Sequence, residues 1–187
     1  MFQKKRSKSS RESISLTQMP RLSVRMSAWQ RVHELARESP DRETGGILVG
    51  SHSSSDILIA GASDAGPLAI RNESHFLRDT KYCQAFLAQQ YADFGFDYVG
   101  EWHSHVVPLD QLSHGDLGTL LGIMNDPDYD FPSFAMLLAV VHNAEVDVRS
   151  FVGFKPSLLQ QHLIVAEARP QLLSSDLLKE DANHGRS

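Results

Sequence analysis

The chain has 187 residues, of which 41% are apolar, so it is long enough to bury the core of one domain. No stretch approaches the roughly 20 apolar residues that a membrane-spanning helix needs, and the basic N-terminus is followed by no apolar run typical of a secretory signal. A single cysteine, Cys83, cannot form an internal disulfide, which is typical of a reducing compartment. We therefore expect a soluble cytoplasmic protein with no membrane partner, in which Cys83 is a small core or near-core residue.

Charge is divided unevenly along the chain. Residues 1–25 contain seven Lys or Arg and one acid, a net charge of +6, whereas the whole chain has −5, which leaves −11 for the remainder. A basic arm can bind nucleic acid. The body, however, lacks the basic face or aromatic–basic interleaving that would continue such a surface, so nucleic acid is not an expected partner. We predict that residues 1–18 form a disordered, solvated tail.

Hydrophobic periodicity predicts interspersed strands and helices after this tail. The predicted elements are a strand over 21–27, a helix capped by Ser27 and ending near Glu38, two neighbouring strands within 45–52 and 56–64, a helix over 79–93 that Gly95 ends, a strand over 96–105, a helix from Ser113 to about Asn125, a hairpin of 133–143 and 145–154, and a short helix over 157–168. No regular βαβ rhythm is present. The pattern indicates one α/β or α+β domain with a mixed sheet that carries helices on its faces.

The stretch "EWHSHVVPLDQLSHGD", residues 101–116, concentrates metal-ligand residue types. His103 and His105 alternate along a strand, so both emerge on one face about 6.6 Å apart and can converge on one ion. Asp116 at the start of the next helix would supply a third ligand. Zinc accepts His nitrogen and Asp oxygen, and a catalytic zinc site uses three protein ligands.

Other interpretations of these residues stay open on spacing alone. Two alternating histidines can form a polar strand face, and Ser113 with Asp116 matches a capping box that only satisfies backbone donors at a helix start. His75, His114 and His142 have no comparable partner pattern, and we expect them to be surface or core residues.

Hydrolysis also requires an acid to move protons. Two candidates remain open: Glu43, which opens a glycine-bearing strand, and Glu101, which shares the strand face of the histidines. Gly45 and Gly46 would let backbone or substrate approach closely. The chain contains no His-Glu-x-x-His helix, Cys-x-x-Cys pair, phosphate loop or serine-hydrolase elbow.

Together these residues resemble the JAMM or MPN+ zinc metalloproteases, especially the stand-alone prokaryotic JAB type. That family pattern has an early-strand glutamate, then His-x-His, ten intervening residues and Asp, with Ser three positions before the Asp. This chain matches with Glu43, His103, His105, Asp116 and Ser113. The resemblance covers roughly residues 20 to 155.

The resemblance implies a curved mixed sheet flanked by helices, a cytidine-deaminase-like JAMM fold, over a domain of residues 19–155, followed by a helix and polar tail over 156–187. It implies one zinc ion held by His103, His105 and Asp116.

The resemblance also implies roles for the two remaining residues of the pattern. Glu43 is the general base and acid by this analogy. Ser113 is expected to hydrogen-bond the developing oxyanion or a water at the metal.

Carried further, the resemblance implies an isopeptidase or peptidase that cleaves after the C-terminus of a ubiquitin-like modifier. Ubiquitin-activating and conjugating enzymes are expected partners, and such systems include antiviral defence operons. A non-catalytic MPN-type scaffold is an alternative, although such scaffolds normally lack some of the ligands. A peptidase that trims a sulfur-carrier protein is another.

Two features depart from the family pattern or stay open. Val106 and Leu112 stand where the family usually has proline, with Pro108 nearby. The segment "MNDPDYDFPS", residues 124–133, could line the substrate groove or merely connect a helix to a strand.

Overall fold

An eight-stranded mixed sheet forms the centre of the protein. The computed structural model describes residues 19–53, 55–129, 131–143, 145–155 and 163–174. The elements in chain order are β1 (Arg21–Arg25), α1 (Met26–Arg37), β2 (Gly45–His52), β3 (Asp56–Ala62), β4 (Ile70–Arg71), β5 (Phe76–Leu77), α2 (Thr80–Phe94), β6 (Asp97–His105), α3 (His114–Asn125), β7 (Ser133–His142), β8 (Glu145–Phe154), β9 (Ile164–Glu167) and β10 (Gln171–Leu173).

The strands lie in the order β10-β1-β3-β2-β6-β7-β8-β9, and β4 with β5 forms a separate hairpin. The pairs β10–β1, β1–β3 and β6–β7 are parallel, whereas the other neighbours are antiparallel. Strands β6 and β7 are central and are buried along most of their length, as expected where helices cover both faces. The predicted class, a curved mixed sheet flanked by helices in one domain, is confirmed.

Helices cover the two faces of the sheet separately. On one face, α1 packs Val32 and Leu35 into a core that includes Trp102 of β6. On the other face, Leu120 and Met124 of α3 are fully buried among aromatic and aliphatic side chains of β7 and β8. The metal-ligand candidates lie on the second face.

Helix α2 completes the second face. Its Cys83 is buried and packs with Ile47 and Val49 of β2, which confirms the prediction of a core cysteine. Its C-terminal cap is Gly95 in the left-handed conformation, as predicted. No helix in the described part of the chain has the length and apolarity to cross a membrane.

Two sequence-based predictions are wrong. The first helix begins at Met26 with Arg25 at the N-cap position and no side-chain cap, so Ser27 lies inside the first turn and does not cap it. The helix predicted over 157–168 is also wrong where the chain is described, because Ile164–Glu167 pair with β8 as an edge strand. Residues 157–162 of that helix, the predicted tail over 1–18, and residues 175–187 of the predicted polar tail lie outside the described residues.

The sheet continues past residue 155, where the predicted domain boundary falls. Strands β9 and β10 extend it at its two edges, through pairing with β8 and with β1. Neither these two strands nor the β4–β5 hairpin was predicted from the sequence.

Candidate metal centre

The end of β6 carries His103 and His105 into the interior. Both histidines are buried, and both belong to the face that the start of α3 approaches. Pairing with β2 and β7 fixes the strand on both sides, with His103 opposite Gly45 and Leu138. The predicted common face of the two imidazoles is therefore confirmed.

Asp116 is both a helix cap and a neighbour of the histidines. Its Oδ2 accepts a hydrogen bond from the Ser113 backbone N–H at 2.7 Å, and the Ser113 hydroxyl accepts one from the Asp116 N–H at 3.2 Å. The same carboxylate lies 3.2 Å from Nε2 of His103 through Oδ1 and 3.5 Å from Nε2 of His105 through Oδ2. The Asp116 side chain can therefore cap the helix and face the histidines at the same time, so the two interpretations are compatible.

The spacing of the three candidate ligands is compatible with a metal site. The Nε2 atoms of His103 and His105 lie 3.3 Å apart, and each lies 3.2–3.5 Å from a different oxygen of Asp116. Ligands at 2.0–2.1 Å from a tetrahedral zinc ion are separated by about 3.3–3.4 Å. One ligand atom from each residue lies within 4.8 Å of the other two, so the group could hold a metal ion.

A backbone carbonyl prepares His105 for this role. Nδ1 of His105 lies 2.9 Å from the carbonyl oxygen of Leu109, so this nitrogen donates its hydrogen there. In the neutral imidazole that bond places the one hydrogen on Nδ1 and leaves Nε2, which faces Asp116 and His103, as the nitrogen that can bind a metal. In the loop after β6, the Leu109 N–H donates a hydrogen bond to the Val107 carbonyl oxygen. The loop thus forms a tight turn although Val106 and Leu112 replace the prolines usual in the family.

Electrostatics favour a charged carboxylate at the centre. Burial alone would raise the pKa of Asp116, but hydrogen bonds from His103, His105 and Ser113 hold it well below its ordinary value. For His105, burial lowers the pKa, yet hydrogen bonds to Asp116 and Leu109 leave it above its ordinary value. The site therefore attracts positive charge, which either protons or a metal ion can supply.

Glu43 lies beside this group, at the loop that leads into β2. The next residue, Thr44, makes two hydrogen bonds to Ser104. The Thr44 N–H donates to the Ser104 hydroxyl at 3.0 Å, and the Thr44 carbonyl oxygen accepts from the Ser104 N–H at 2.7 Å. Since Ser104 stands between the two histidines, these bonds place Glu43 next to them. Burial raises the pKa of Glu43, while His105 and His103 oppose the increase and Asp116 adds to it.

Close approach of strands makes this placement possible. A Cβ at Gly45 would overlap the Trp102 carbonyl oxygen and the Phe76 ring, and a Cβ at Gly46 would overlap Ser63. The two glycines therefore admit neighbouring backbone, which is one of the two uses predicted for them.

Glu101 has different surroundings. Its buried carboxylate forms an ion pair with Arg78 and accepts a hydrogen bond from the Tyr98 hydroxyl. Burial and the neighbouring Glu101 raise the pKa of Tyr98, so this phenol stays a neutral donor. Glu101 is therefore engaged in a buried polar network, which sequence spacing could not reveal. Glu101 and Arg78 line a cleft of about 300 Å³ together with His103 and Asp116.

The remaining histidines lie outside the ligand group. His75, His114 and His142 are all exposed, as expected for surface residues. The first of them, in the β4–β5 turn, is nevertheless an electrostatic neighbour of Glu43 and lowers its pKa. No sequence signal pointed to that neighbour, because the hairpin was not predicted.

Two imidazoles from one strand and a carboxylate from the next helix, with a half-buried glutamate beside them, define a single-domain α/β protein with a candidate metal centre. The family model described as prokaryotic homologs of the JAB domain matches residues 26–152, more than half of the chain. The chain belongs to this family.

A solved structure shows the same fold. The solution structure of protein DSY2949 from Desulfitobacterium hafniense is 19% identical, with a TM-score of 0.58, and the match covers 87% of this chain and 99% of that one. No curated protein matches the chain.

Proposed function

We propose that this JAB-family protein is a zinc-dependent peptidase that cleaves after the C-terminus of a ubiquitin-like protein. The observation that carries the proposal is the convergence of His103, His105 and Asp116, residue types that zinc accepts, with Glu43 beside them.

The three ligands would hold the ion, and bound zinc supplies Lewis acidity that makes water acidic enough to lose a proton near neutral pH. Glu43 is suited to take that proton, since it is half-buried and its pKa is raised. It would then deliver the proton to the leaving amine. Such a shuttle needs a group that is free to exchange protons, which favours Glu43 over the ion-paired Glu101.

Ser113 would stabilise the developing oxyanion. Its hydroxyl oxygen already accepts the Asp116 N–H, and the hydroxyl hydrogen is a further donor beside the Asp116 carboxylate. That hydrogen can therefore be donated to a substrate oxygen. A preorganised donor of this kind stabilises the transition state for peptide cleavage.

Family membership and the complete set of candidate ligands support the choice of substrate class. We propose that the cleaved bond joins a ubiquitin-like modifier to a target or to its own precursor extension. Ubiquitin-activating and conjugating enzymes, and an antiviral conjugation system, are the proposed context. A non-catalytic scaffold has no need for the glutamate and all three ligands.

Metal content tests the site. Protein purified without chelators should contain close to one zinc per chain, whereas His103→Ala and His105→Ala should lose most of it, as measured by elemental analysis. His142→Ala is the matched control, because this histidine is exposed and lies outside the ligand group. Full zinc in the double variant His103→Ala/His105→Ala would exclude the site.

A panel of ubiquitin-like proteins with C-terminal extensions, and of sulfur-carrier proteins, tests the activity. Cleavage of an extension from a modifier supports the proposal, whereas cleavage of only the sulfur-carrier proteins favours the trimming alternative. A zinc-loaded protein that cleaves none of them favours the scaffold.

A further inference from the structure

A groove of about 600 Å³ lies at the start of β6, away from the metal-ligand candidates at its end. We name it the aromatic groove. Its wall and rim include Tyr91, Tyr98, Tyr129, Phe131, Asp97 and Asp128.

Aromatic rings form the wall of the groove. Tyr129 stacks on Phe131 at a centroid distance of 5.0 Å, and Tyr98 meets both rings edge-on. Tyr91 and Tyr129 are 62% and 46% exposed, so their surfaces are open to a ligand. Aromatic faces attract Lys and Arg side chains through cation–π contacts.

Two carboxylates add negative charge to the rim. Asp97 and Asp128 are both exposed, and neither forms an ion pair with a described residue. Acids beside open aromatic rings suit a basic peptide segment, which can place its charges on the acids and its side-chain stems on the rings. The occupant that fits this surface is therefore cationic.

We infer that the aromatic groove binds the basic N-terminal segment of this same chain. Residues 1–18 contain Lys4, Lys5, Arg6, Lys8 and Arg11 against one acid. They complement the unpaired acids of the groove, and they lie on a chain whose remainder is strongly acidic. This inference concerns a surface separate from the metal centre and does not depend on catalysis.

The position of β1 brings the segment to the groove. The Arg21 N–H donates to the Ser55 carbonyl at 2.8 Å, in the turn that follows the groove residue His52. Strands β1 and β2 are separated by β3 alone, a distance of about 10 Å. Lys8 is eleven residues from Met19, so an extended chain could place it up to about 36 Å from Met19. This reach exceeds the distance from β1 to the groove.

One arginine of the basic region already makes the expected type of contact. The guanidinium of Arg25 lies 4.9 Å from the ring centroid of Phe96, the residue directly before Asp97. The contact shows that one cationic side chain from this region of the chain meets an aromatic residue next to the groove.

Photo-crosslinking in the full-length chain tests the inference. A Ser7→benzoylphenylalanine variant, irradiated at low protein concentration, should crosslink within the same chain to peptides spanning 91–98 or 127–131. The double variant Asp97→Asn/Asp128→Asn should reduce the yield about threefold or more, because exposed charge pairs are individually weak. About 0.5 M NaCl should reduce it as well.

The matched control is Glu34→Gln/Glu38→Gln, which removes two exposed carboxylates from the end of α1 and should leave the yield unchanged. Crosslinks between two chains that rise with protein concentration would overturn the inference in favour of a second copy. Scattered crosslinks, or a yield equally insensitive to both double variants, would overturn it outright.

Discussion

Asp116 makes two kinds of interaction, one with a helix start and one with the histidines. Its carboxylate caps α3 through the Ser113 N–H and also faces both histidines. The cap fixes the direction of the carboxylate before any ion binds, so the third ligand is positioned by helix formation itself. A single side chain thus links the stability of a helix to the geometry of the metal centre.

At the same scale, Glu43 can be separated from the ligands by experiment. Glu43→Ala should keep its zinc, because the three proposed ligands remain. The rate at which it hydrolyses a ubiquitin-like substrate of the parent protein should fall by roughly 10²- to 10⁴-fold. Turnover and zinc content are measured on the same preparation. The inactive variant should also retain the substrate in a pull-down.

Glu73→Ala is the control for that prediction, since Glu73 is an exposed acid in the neighbouring β4–β5 turn. The proposed role of Glu43 is wrong if Glu43→Ala cleaves at the parent rate while Glu101→Ala is inactive with its zinc retained. A Glu101→Ala variant that loses stability instead is consistent with its pairing to Arg78.

The proximity of the three candidate ligands was predictable from local sequence, whereas the position of Glu43 was not. His103, His105 and Asp116 lie within one strand and the helix that follows, so local periodicity describes them. The position of Glu43 depends on the Thr44–Ser104 bonds, which join residues 60 positions apart. Only the resemblance to a known family favoured Glu43, because spacing carries no information about such long-range pairing.

At the scale of elements, the pairing of β2 with β6 positions Glu43 relative to the two histidines. Glycine at position 45 lets the two strands approach closely next to His103, and Thr44 then bonds to Ser104. A side chain at position 45 would push β2 away from β6, and with it would shift Glu43 relative to His103 and His105.

Gly45→Ala should therefore lower the free energy of unfolding by about 1–3 kcal/mol, the usual cost of overpacking. Gly118→Ala should have the opposite effect. Gly118 is an exposed residue of α3 with no atom near the position of an added Cβ, so alanine should stabilise the helix by about 0.5–1 kcal/mol. Urea denaturation of both variants measures the difference. Equal stabilities would show that the β2–β6 contact adjusts freely.

Errors in the element predictions have a common cause. The segment Ile164–Glu167 was assigned to a helix because its apolar residues continue a helical pattern, yet pairing with β8 makes it a strand. Short segments follow tertiary partners more than their own propensity. The β4–β5 hairpin was missed for the same reason, since each of its strands has two residues and no periodicity.

At the scale of the whole molecule, the metal centre and the aromatic groove occupy opposite ends of β6. About 20 Å of strand separates Asp97 from His103. Loop residues Tyr129 and Phe131 line the groove rather than the cleft beside His103 and Asp116. A ligand in the groove would therefore leave the cleft itself uncovered, although the hydrogen bond from Tyr98 to Glu101 joins the two regions.

Deletion of residues 1–18 should accordingly leave the turnover of a small soluble substrate nearly unchanged. The deleted segment carries charge but none of the five site residues, and its proposed groove lies away from them. Initial rates of the full and shortened chains provide the comparison. A loss of a hundredfold or more would show that the tail belongs to the active machinery.

The pairing of β1 with β10 has a consequence for synthesis and folding. Ser23 of the first described strand lies opposite Gln171 of the last, in parallel register. A ribosome therefore releases nearly the whole domain before this edge of the sheet can close. Contacts of such sequence separation are slow to form, because a long loop must be closed first. Until then β1 presents an open strand edge, the surface on which nascent chains most readily associate.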